Sequence, residues 1–294
     1  MRALISGIKR MEIHDGDGLR TTVFFKGCPL KCIWCHNPES ISFGKEIAFF
    51  KNKCIHCDTC LSVCNENILP NRKPPFASCS FCLNCVDNCP TNALLCYGKE
   101  YELEELLSIV LQDESFFQNG QGGITLSGGE CLSQPTFAIA FAKKLFEKGI
   151  SVNIDTCGFV KQEVLEKILP YVDTFLYDIK ALDKDLHFSL TGKDNSIILD
   201  NLQYLSKNNA KIEIRYPLVM GYNDQECEKI AAFLSSLTIE KVKILQYHHF
   251  AESRYEALGR KNTMPTTVTT NEDIERCVQI FKAYNLVAIN GAKS

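Results

Sequence analysis

The stretch TTVFFKGCPLKCIWCHNPES, residues 21–40, decides the reading of this chain. Thr21 to Phe25 are β-branched and aromatic, which predicts a buried strand. Gly27 breaks that strand, and Cys28, Cys32 and Cys35 follow on a loop with the spacing C-x3-C-x2-C. Three thiolates on a cuboidal four-iron cluster leave one iron without a protein ligand. An open position on a metal is where a substrate or cofactor binds and reacts. The loop then sits at the C-terminal end of a first strand, where αβ barrels carry their chemistry.

Further along, the spacing C-x2-C-x2-C-x3-C occurs twice: Cys54, Cys57, Cys60 and Cys64, then Cys79, Cys82, Cys85 and Cys89 before Pro90. This internal repeat matches the bacterial two-cluster ferredoxin pattern, in which the fourth cysteine of each run crosses to the other cluster. Cys54, Cys57, Cys60 and Cys89 are therefore expected on one [4Fe–4S] cluster, and Cys79, Cys82, Cys85 and Cys64 on the other. The short loops turn backbone amides toward the inorganic sulfides. Structural zinc is the weaker alternative, since tetrahedral sites do not call for four cysteines in so compact a run, twice over.

The chain has 294 residues and 16 cysteines, too long and too short of secretion signals for a disulfide framework. Its start, MRALISGIKRMEIHD (1–15), places charges where a signal peptide needs an apolar stretch. Closely spaced cysteines in a reducing cytoplasm read as metal ligands. Hydrophobic residues at 45% and charged residues at 23% exclude a disordered or collagen-like chain. A net charge of −3 offers no footprint for nucleic acid or a membrane surface. No apolar run approaches the roughly 18 residues a bilayer requires. Cys96, Cys131, Cys157, Cys227 and Cys277 are left as small core residues or loop thiols, with Cys131 and Cys157 at strand ends.

After the cysteine-rich part, helical and strand-like segments alternate. Helices are expected over 102–117, 135–148, 162–169, 195–207, 224–237 and 271–284. Strands are expected over 124–126, 152–154, 174–177, 212–219, 242–247 and 286–289. This alternation predicts parallel strands with helical crossovers. Counted with the first strand, it gives an α/β fold: a partial (β/α)6 TIM-like barrel with a seventh strand-like segment at the end. Residues 1–45 and 95–294 make the barrel, and 46–94 a ferredoxin-like insert after the first strand. A doubly wound open sheet is the alternative. Glu130, Asp155, Asp178, Lys180, Arg215 and His248 all fall at strand ends on the side of the cysteine loop, and together they read as the lining of one site.

The cysteine loop, with Trp34 before its last cysteine, resembles that of radical S-adenosylmethionine (SAM) enzymes. More narrowly, the chain resembles the glycyl-radical-enzyme activating enzymes of the larger type, which carry a two-cluster insert. The resemblance rests on IHDGDGLRTTVFFKGCPLKCIWCHNPES (13–40), the cysteine repeat (54–90), GGITLSGGE (122–130), DTCGF (155–159), YDIKALD (177–183), TGKDNSIILDNL (191–202), IRYPLVMGYND (214–224) and YHHFAESRYEALGR (247–260). It covers residues 4 to 260 in order.

This resemblance implies that Cys28, Cys32 and Cys35 hold the SAM-binding cluster, whose open iron takes the amino and carboxylate groups of SAM. Ser127, Gly128, Gly129 and Glu130 receive the methionyl amino group, the Glu130 carboxylate facing the ammonium. Lys180 and Arg215 suit the cofactor's carboxylate and neighbouring oxygens, and Lys180 is counted with the three cysteines as catalytic. Asp155, Thr156 and Asp178 match positions that can hold a monovalent cation. His248 matches a histidine near the nucleoside. Trp34 sits beside the cofactor as packing that limits solvent. The loop Asp15 to Arg20 lies where the family meets its target peptide. Asp17, Cys131, Gln246 and Phe250-Ala251 depart from the usual residues, and none removes an expected ligand. DGDG (15–18) hints at a calcium loop, but Lys26 stands where the bidentate glutamate belongs.

The function implied is an activase. One electron cleaves SAM to methionine and a 5′-deoxyadenosyl radical, which takes the α-hydrogen of a backbone glycine in a partner enzyme. Three [4Fe–4S] clusters, SAM, a glycyl radical enzyme as partner, and a flavodoxin or ferredoxin as donor are expected. No nucleic acid or membrane partner is, and the chain is expected to be a cytoplasmic monomer. The alternatives are a radical SAM enzyme with a small-molecule substrate, disfavoured because only a short tail follows the barrel, and a non-catalytic ferredoxin-type electron carrier.

Overall fold

The computed structural model describes residues 1–66, 74, 76, 79–120 and 122–291. Part of the link between the two cysteine runs falls outside these residues. Strands β1 (Arg2–Glu12) and β2 (Arg20–Phe25) form an antiparallel pair. Beyond the cysteine loop come β3 (Glu46–Phe49), the short helices α1 (Thr59–Ser62) and α2 (Asn84–Asp87), and β4 (Leu94–Tyr97), which pairs back on β3. Strand β5 (Lys99–Glu102) follows, then α3 (Leu103–Val110) and α4 (Glu114–Gly120). The remainder alternates: β6 (Gly123–Gly128), α5 (Pro135–Glu147), β7 (Ser151–Thr156), α6 (Gln162–Ile168), β8 (Thr174–Asp178), α7 (Lys184–Thr191), α8 (Ser196–Lys207), β9 (Ile212–Leu218), α9 (Cys227–Leu234), β10 (Lys241–Gln246), α10 (Glu252–Ala257), α11 (Asn271–Ala283) and β11 (Ala288–Asn290).

The main sheet has the order β11-β10-β9-β8-β7-β6-β2-β1-β5. From β2 to β11 every neighbouring pair is parallel. The order never reverses, so there is no switch point of the kind that defines a doubly wound sheet. The sheet curls. The loop before β2 carries His14 against Arg215 on β9, and Asp17 against Lys241 on β10. Six strand–helix units and a closing strand thus form the expected partial barrel. An antiparallel edge, β1 and β5, is added that the alternation did not indicate.

Period-two alternation divides the strands between two faces. Ile124 and Leu126 of β6, Phe175 and Tyr177 of β8, and Ile214 and Tyr216 of β9 join the core beneath the helices. Phe137, Phe141 and Leu145 of α5 and Leu202 and Leu205 of α8 cover that face. The intervening residues are polar: Thr125, Ser127, Asn153, Asp155, Glu213 and Arg215. A core with a polar inner face leaves a lined interior, which is where a site can be built.

The helix expected over 102–117 breaks into α3 and α4 around a turn at Leu111–Asp113. Asp113 is buried there, accepting from Thr21 Oγ1 at 2.7 Å and pairing with Arg10 at 3.4 Å. A carboxylate tied down to β1 and β2 outweighs helical continuity. Helix α7, with Asp183 capping its first turn and left-handed Gly192 ending it, was also not indicated by the alternation.

The segment between β3 and β4 docks on α10. Ala48 packs with Ala257 and Leu258, flanked by Phe50 and Tyr97. Glu46 accepts from buried Lys26 Nζ and from Arg260, both at 2.7 Å. Lys51 meets Glu256 at 2.8 Å. No helix among the described residues is long and apolar enough to cross a membrane.

Candidate iron–sulfur and cofactor site

The cysteine loop is pinned at several points. Lys31 N–H donates to Thr191 C=O, Ile33 N–H to Leu190 C=O, and Tyr255 O–H to Cys35 C=O. Thr263 Oγ1 donates to Ile33 C=O at 3.0 Å. Trp34 is 5% exposed and packs with Ala181, Leu190, Val219, Tyr247, Tyr255 and Met264, so it seals the back of the loop. Burial pushes the Cys32 thiol up to about 12 and raises Cys35 as well. A buried thiol ionises only beside a strong positive charge, and iron supplies one. The donor set and its dryness therefore fit an iron–sulfur group.

The Ser127–Glu130 turn closes on the start of this loop. Gly129 N–H donates to Phe25 C=O, and Glu130 N–H to Gly27 C=O, each at 2.9 Å. Gly128 has φ +115°, and a Cβ there would lie 2.2 Å from Phe25 O. At Gly129 a Cβ would lie 2.5 Å from the carbonyl oxygens of both Gly27 and Ser40. Only glycine lets these backbones approach so closely.

The Glu130 side chain turns into the protein. It is fully buried, and its carboxylate accepts from Leu132 N–H at 3.0 Å, Thr156 Oγ1 at 2.8 Å and Cys157 N–H at 2.8 Å. Those bonds join the ends of β6 and β7 and leave no accessible oxygen for a ligand's ammonium. Thr156 is likewise spent on Glu130 and on Gly158 N–H.

Further charges gather at the same strand ends. Ser127 Oγ donates to Asp155 Oδ2 at 2.6 Å. Asp155 faces Arg215 Nη1 at 3.4 Å, and Asp15 faces the same nitrogen at 3.5 Å. Burial pushes the Asp155 carboxyl up to about 6, against the pull of Arg215. Burial opposes the Arg215 charge too, but Asp155, Asp15 and Glu213 together hold its pKa above the usual value. Arg215 Nε and Glu213 Oε1, 3.9 Å apart, are buried without a hydrogen-bond partner. Lys180 Nζ donates to Asp178 Oδ2 at 2.6 Å. Burial disfavours that ammonium, yet Asp178 and the neighbouring Cys32 and Cys157 thiols raise its pKa overall.

His248 is stacked on both faces, on His36 at 4.2 Å and on Phe250 at 4.6 Å between ring centroids. Two residues near the site carried no role in the sequence reading. Cys157 is buried against the Cys28 thiol, and that hydrogen bond, with burial, raises its pKa well above the ordinary thiol value. Asn223 is fully buried, its Nδ2 donating to Lys180 C=O at 2.9 Å and Pro217 C=O at 2.8 Å. The motif IRYPLVMGYND contains Asn223, but a strand-end asparagine in a loop does not announce such a task.

The two cysteine repeats fold alike. His56 and Asp58 in the first, and Phe81 and Leu83 in the second, have positive φ between 54° and 66°. This turns His56 N–H onto Cys54 Sγ and Phe81 N–H onto Cys79 Sγ, each at 3.4 Å. One pocket is lined by Cys54, Cys57, Cys60 and Cys89, with Phe49 and Leu94. A second is lined by Cys64, Cys79, Cys82 and Cys85, with Ile47 and Phe76. Each is an apolar chamber with four thiols, which is the donor set a [4Fe–4S] cluster takes.

Comparison with known proteins agrees with this geometry. The radical SAM superfamily model matches residues 63–234, and a 4Fe-4S single cluster domain matches 14–67. The trans-4-hydroxy-L-proline dehydratase activating enzyme of Clostridioides difficile is 37% identical over 300 residues, 97% of this chain and 98% of that one. The choline trimethylamine-lyase activating enzyme of Oleidesulfovibrio alaskensis is 36% identical, covering 97% of this chain and 96% of its own. A solved domain of the pyruvate-formate lyase-activating enzyme from Bacteroides vulgatus, 28% identical, matches with a TM-score of 0.50 over 57% of this chain and 98% of that one. The curved sheet, the three-cysteine loop at its strand ends and these relatives lead to one conclusion: the chain belongs to the radical SAM superfamily and, within it, to the activating enzymes of glycyl radical enzymes.

Proposed function

We propose that the chain binds three [4Fe–4S] clusters and SAM and installs a glycyl radical on a protein partner. The observation that carries this is the meeting, at one end of the sheet, of the Cys28–Cys35 loop, the Ser127–Glu130 turn, Asp155, the Asp178–Lys180 pair and Arg215. When bound and reduced, the cluster on Cys28, Cys32 and Cys35 supplies the electron that cleaves SAM, and the resulting 5′-deoxyadenosyl radical takes a glycine hydrogen.

The protein's own part is placement. Gly128 and Gly129 bring the β6 end onto the cysteine loop, and their backbone receives the methionyl amino group. Lys180 and Arg215 offer positive charge to its carboxylate, while Asp155 and Asp178 hold those cations and form the seat for a monovalent cation. Trp34 keeps water from the loop, and His248 limits the nucleoside end. The loop of Asp15 to Arg20 contacts the target peptide.

Residues 1–45 and 95–294 act as the radical SAM barrel, and 46–94 as the two-cluster unit. The contacts of Glu46, Ala48 and Lys51 with Arg260, Ala257 and Glu256 support a path from that unit toward the cysteine loop. We assign it electron relay from a flavodoxin or ferredoxin. The chain acts as a cytoplasmic monomer. Relatives are named for partners of unrelated chemistry, a dehydratase, a lyase and a decarboxylase, so the shared task is radical transfer itself. The reconstituted protein, reduced anaerobically with SAM, is expected to release methionine and 5′-deoxyadenosine. A reduced protein with full iron that leaves SAM intact would be an electron carrier instead.

A further inference from the structure

We propose that Cys227 and Cys277 form an oxidisable thiol pair that closes to a disulfide between α9 and α11 when a hydroperoxide reaches it. Nothing in the radical chemistry uses these residues, and the proposal stands independently of it. Their sulfur atoms are 2.9 Å apart, and both side chains are buried, at 5% and 2% exposure. A disulfide needs an S–S distance of about 2.05 Å, so closure asks the sulfurs to move together by less than about 1 Å. The pair lies between α9 and α11 in the core beneath the helices, and neither cysteine belongs to the eleven assigned to iron.

The two thiols are unequal. The hydrogen bond from Cys277 lowers the pKa of Cys227, and the same bond raises that of Cys277. The Tyr216 hydroxyl lies 3.8 Å from Cys227 Sγ. In the proposed reaction Cys227 is the attacking thiolate and Cys277 the resolving thiol. Burial selects the oxidant, since a hydrogen peroxide molecule is small enough to enter where a bulky disulfide is not. Cys227 thiolate attacks one peroxide oxygen, the O–O bond breaks, and Cys227 becomes a sulfenic acid with loss of hydroxide. Cys277 sulfur then displaces the sulfenic oxygen as water. Two thiols lose two electrons and two protons, and one peroxide becomes two waters.

The pair also borders the site. Tyr216 O–H donates to Asn223 C=O, and Asn223 Nδ2 donates to Lys180 C=O. Closure thus acts two hydrogen-bonded residues from a proposed SAM contact.

The test treats the anaerobic holoprotein with one equivalent of hydrogen peroxide, then denatures, alkylates and digests it. The expected product is a Cys227–Cys277 cross-linked peptide, lighter by about two hydrogen masses than its reduced parts. In Cys277→Ala, Cys227 is expected to be trapped by a sulfenic-acid-specific dione. Recovery of both wild-type cysteines alkylated after the peroxide is consumed, or of either one paired with another cysteine, would overturn the proposal. The wild-type arm decides the matter even if the variant does not fold.

Discussion

The Lys180 ammonium and the Asp178 carboxylate meet at 2.6 Å, the lysine 8% and the aspartate 28% exposed. A lysine this buried keeps its charge because its neighbours require it, and a carboxylate ligand arriving beside it gains from the same charge. Lys180→Met removes the cation and leaves Asp178 unpaired. The apparent affinity for SAM is expected to fall by about 10- to 100-fold, with Lys180→Arg retaining part of it. The SAM dependence of 5′-deoxyadenosine release reads this directly, and an unchanged half-saturation point would remove Lys180 from the site.

Glu130 holds three donors that have no other partner in its buried pocket. Glu130→Ala is expected to cost about 3 kcal/mol or more, and Glu130→Gln less, because an amide oxygen still accepts. Thermal unfolding of the anaerobic holoprotein and its iron content check this. If instead the alanine variant unfolded normally and failed only in SAM affinity, Glu130 would act as a ligand for SAM.

Asp155 predicts a pH dependence. Its folded pKa, about 6, lies above the unfolded value near 3.8, so the folded chain holds this proton more tightly. The group's contribution to stability is fully present below about pH 4 and is lost as the pH rises through about 6. Ligand binding runs the other way, since a neutral Asp155 no longer pairs with Arg215. SAM affinity is expected to weaken as the pH falls below about 6, and Asp155→Asn should flatten that profile. An identical inflection in the variant would assign it to another group.

Cys57 and Cys82 line different cavities. Either one changed to Ala is expected to lose about four irons per chain while the Cys28–Cys35 cluster assembles. Activation driven by flavodoxin or ferredoxin should slow. Unchanged activation with such a donor would reject the relay.

Much of this was legible from spacing. The crossed pairing of Cys64 and Cys89 follows from the two runs, and the cavities group the same eight cysteines in the same way. The strands β6 and β9 read clearly because Leu126 and Ile214 alternate with polar neighbours. The antiparallel edge β1 did not, because only two of its eleven residues are fully buried and its chain carries charges at Lys9, Arg10 and Glu12. The direction of the Glu130 carboxylate was not legible for a physical reason. A motif fixes which residue stands at a strand end, but three donors, one of them on the next strand's Thr156, fix where its carboxylate points.

The central claim is radical transfer to a backbone glycine. The most direct measurement is electron paramagnetic resonance of a glycyl radical enzyme encoded beside this gene, incubated anaerobically with this protein, SAM and reductant. The account predicts a doublet from the single remaining α-hydrogen, and deuterium in the released 5′-deoxyadenosine when the partner carries α-deuterated glycine. Continued 5′-deoxyadenosine release with no doublet, and no deuterium transferred from any such partner, would contradict it.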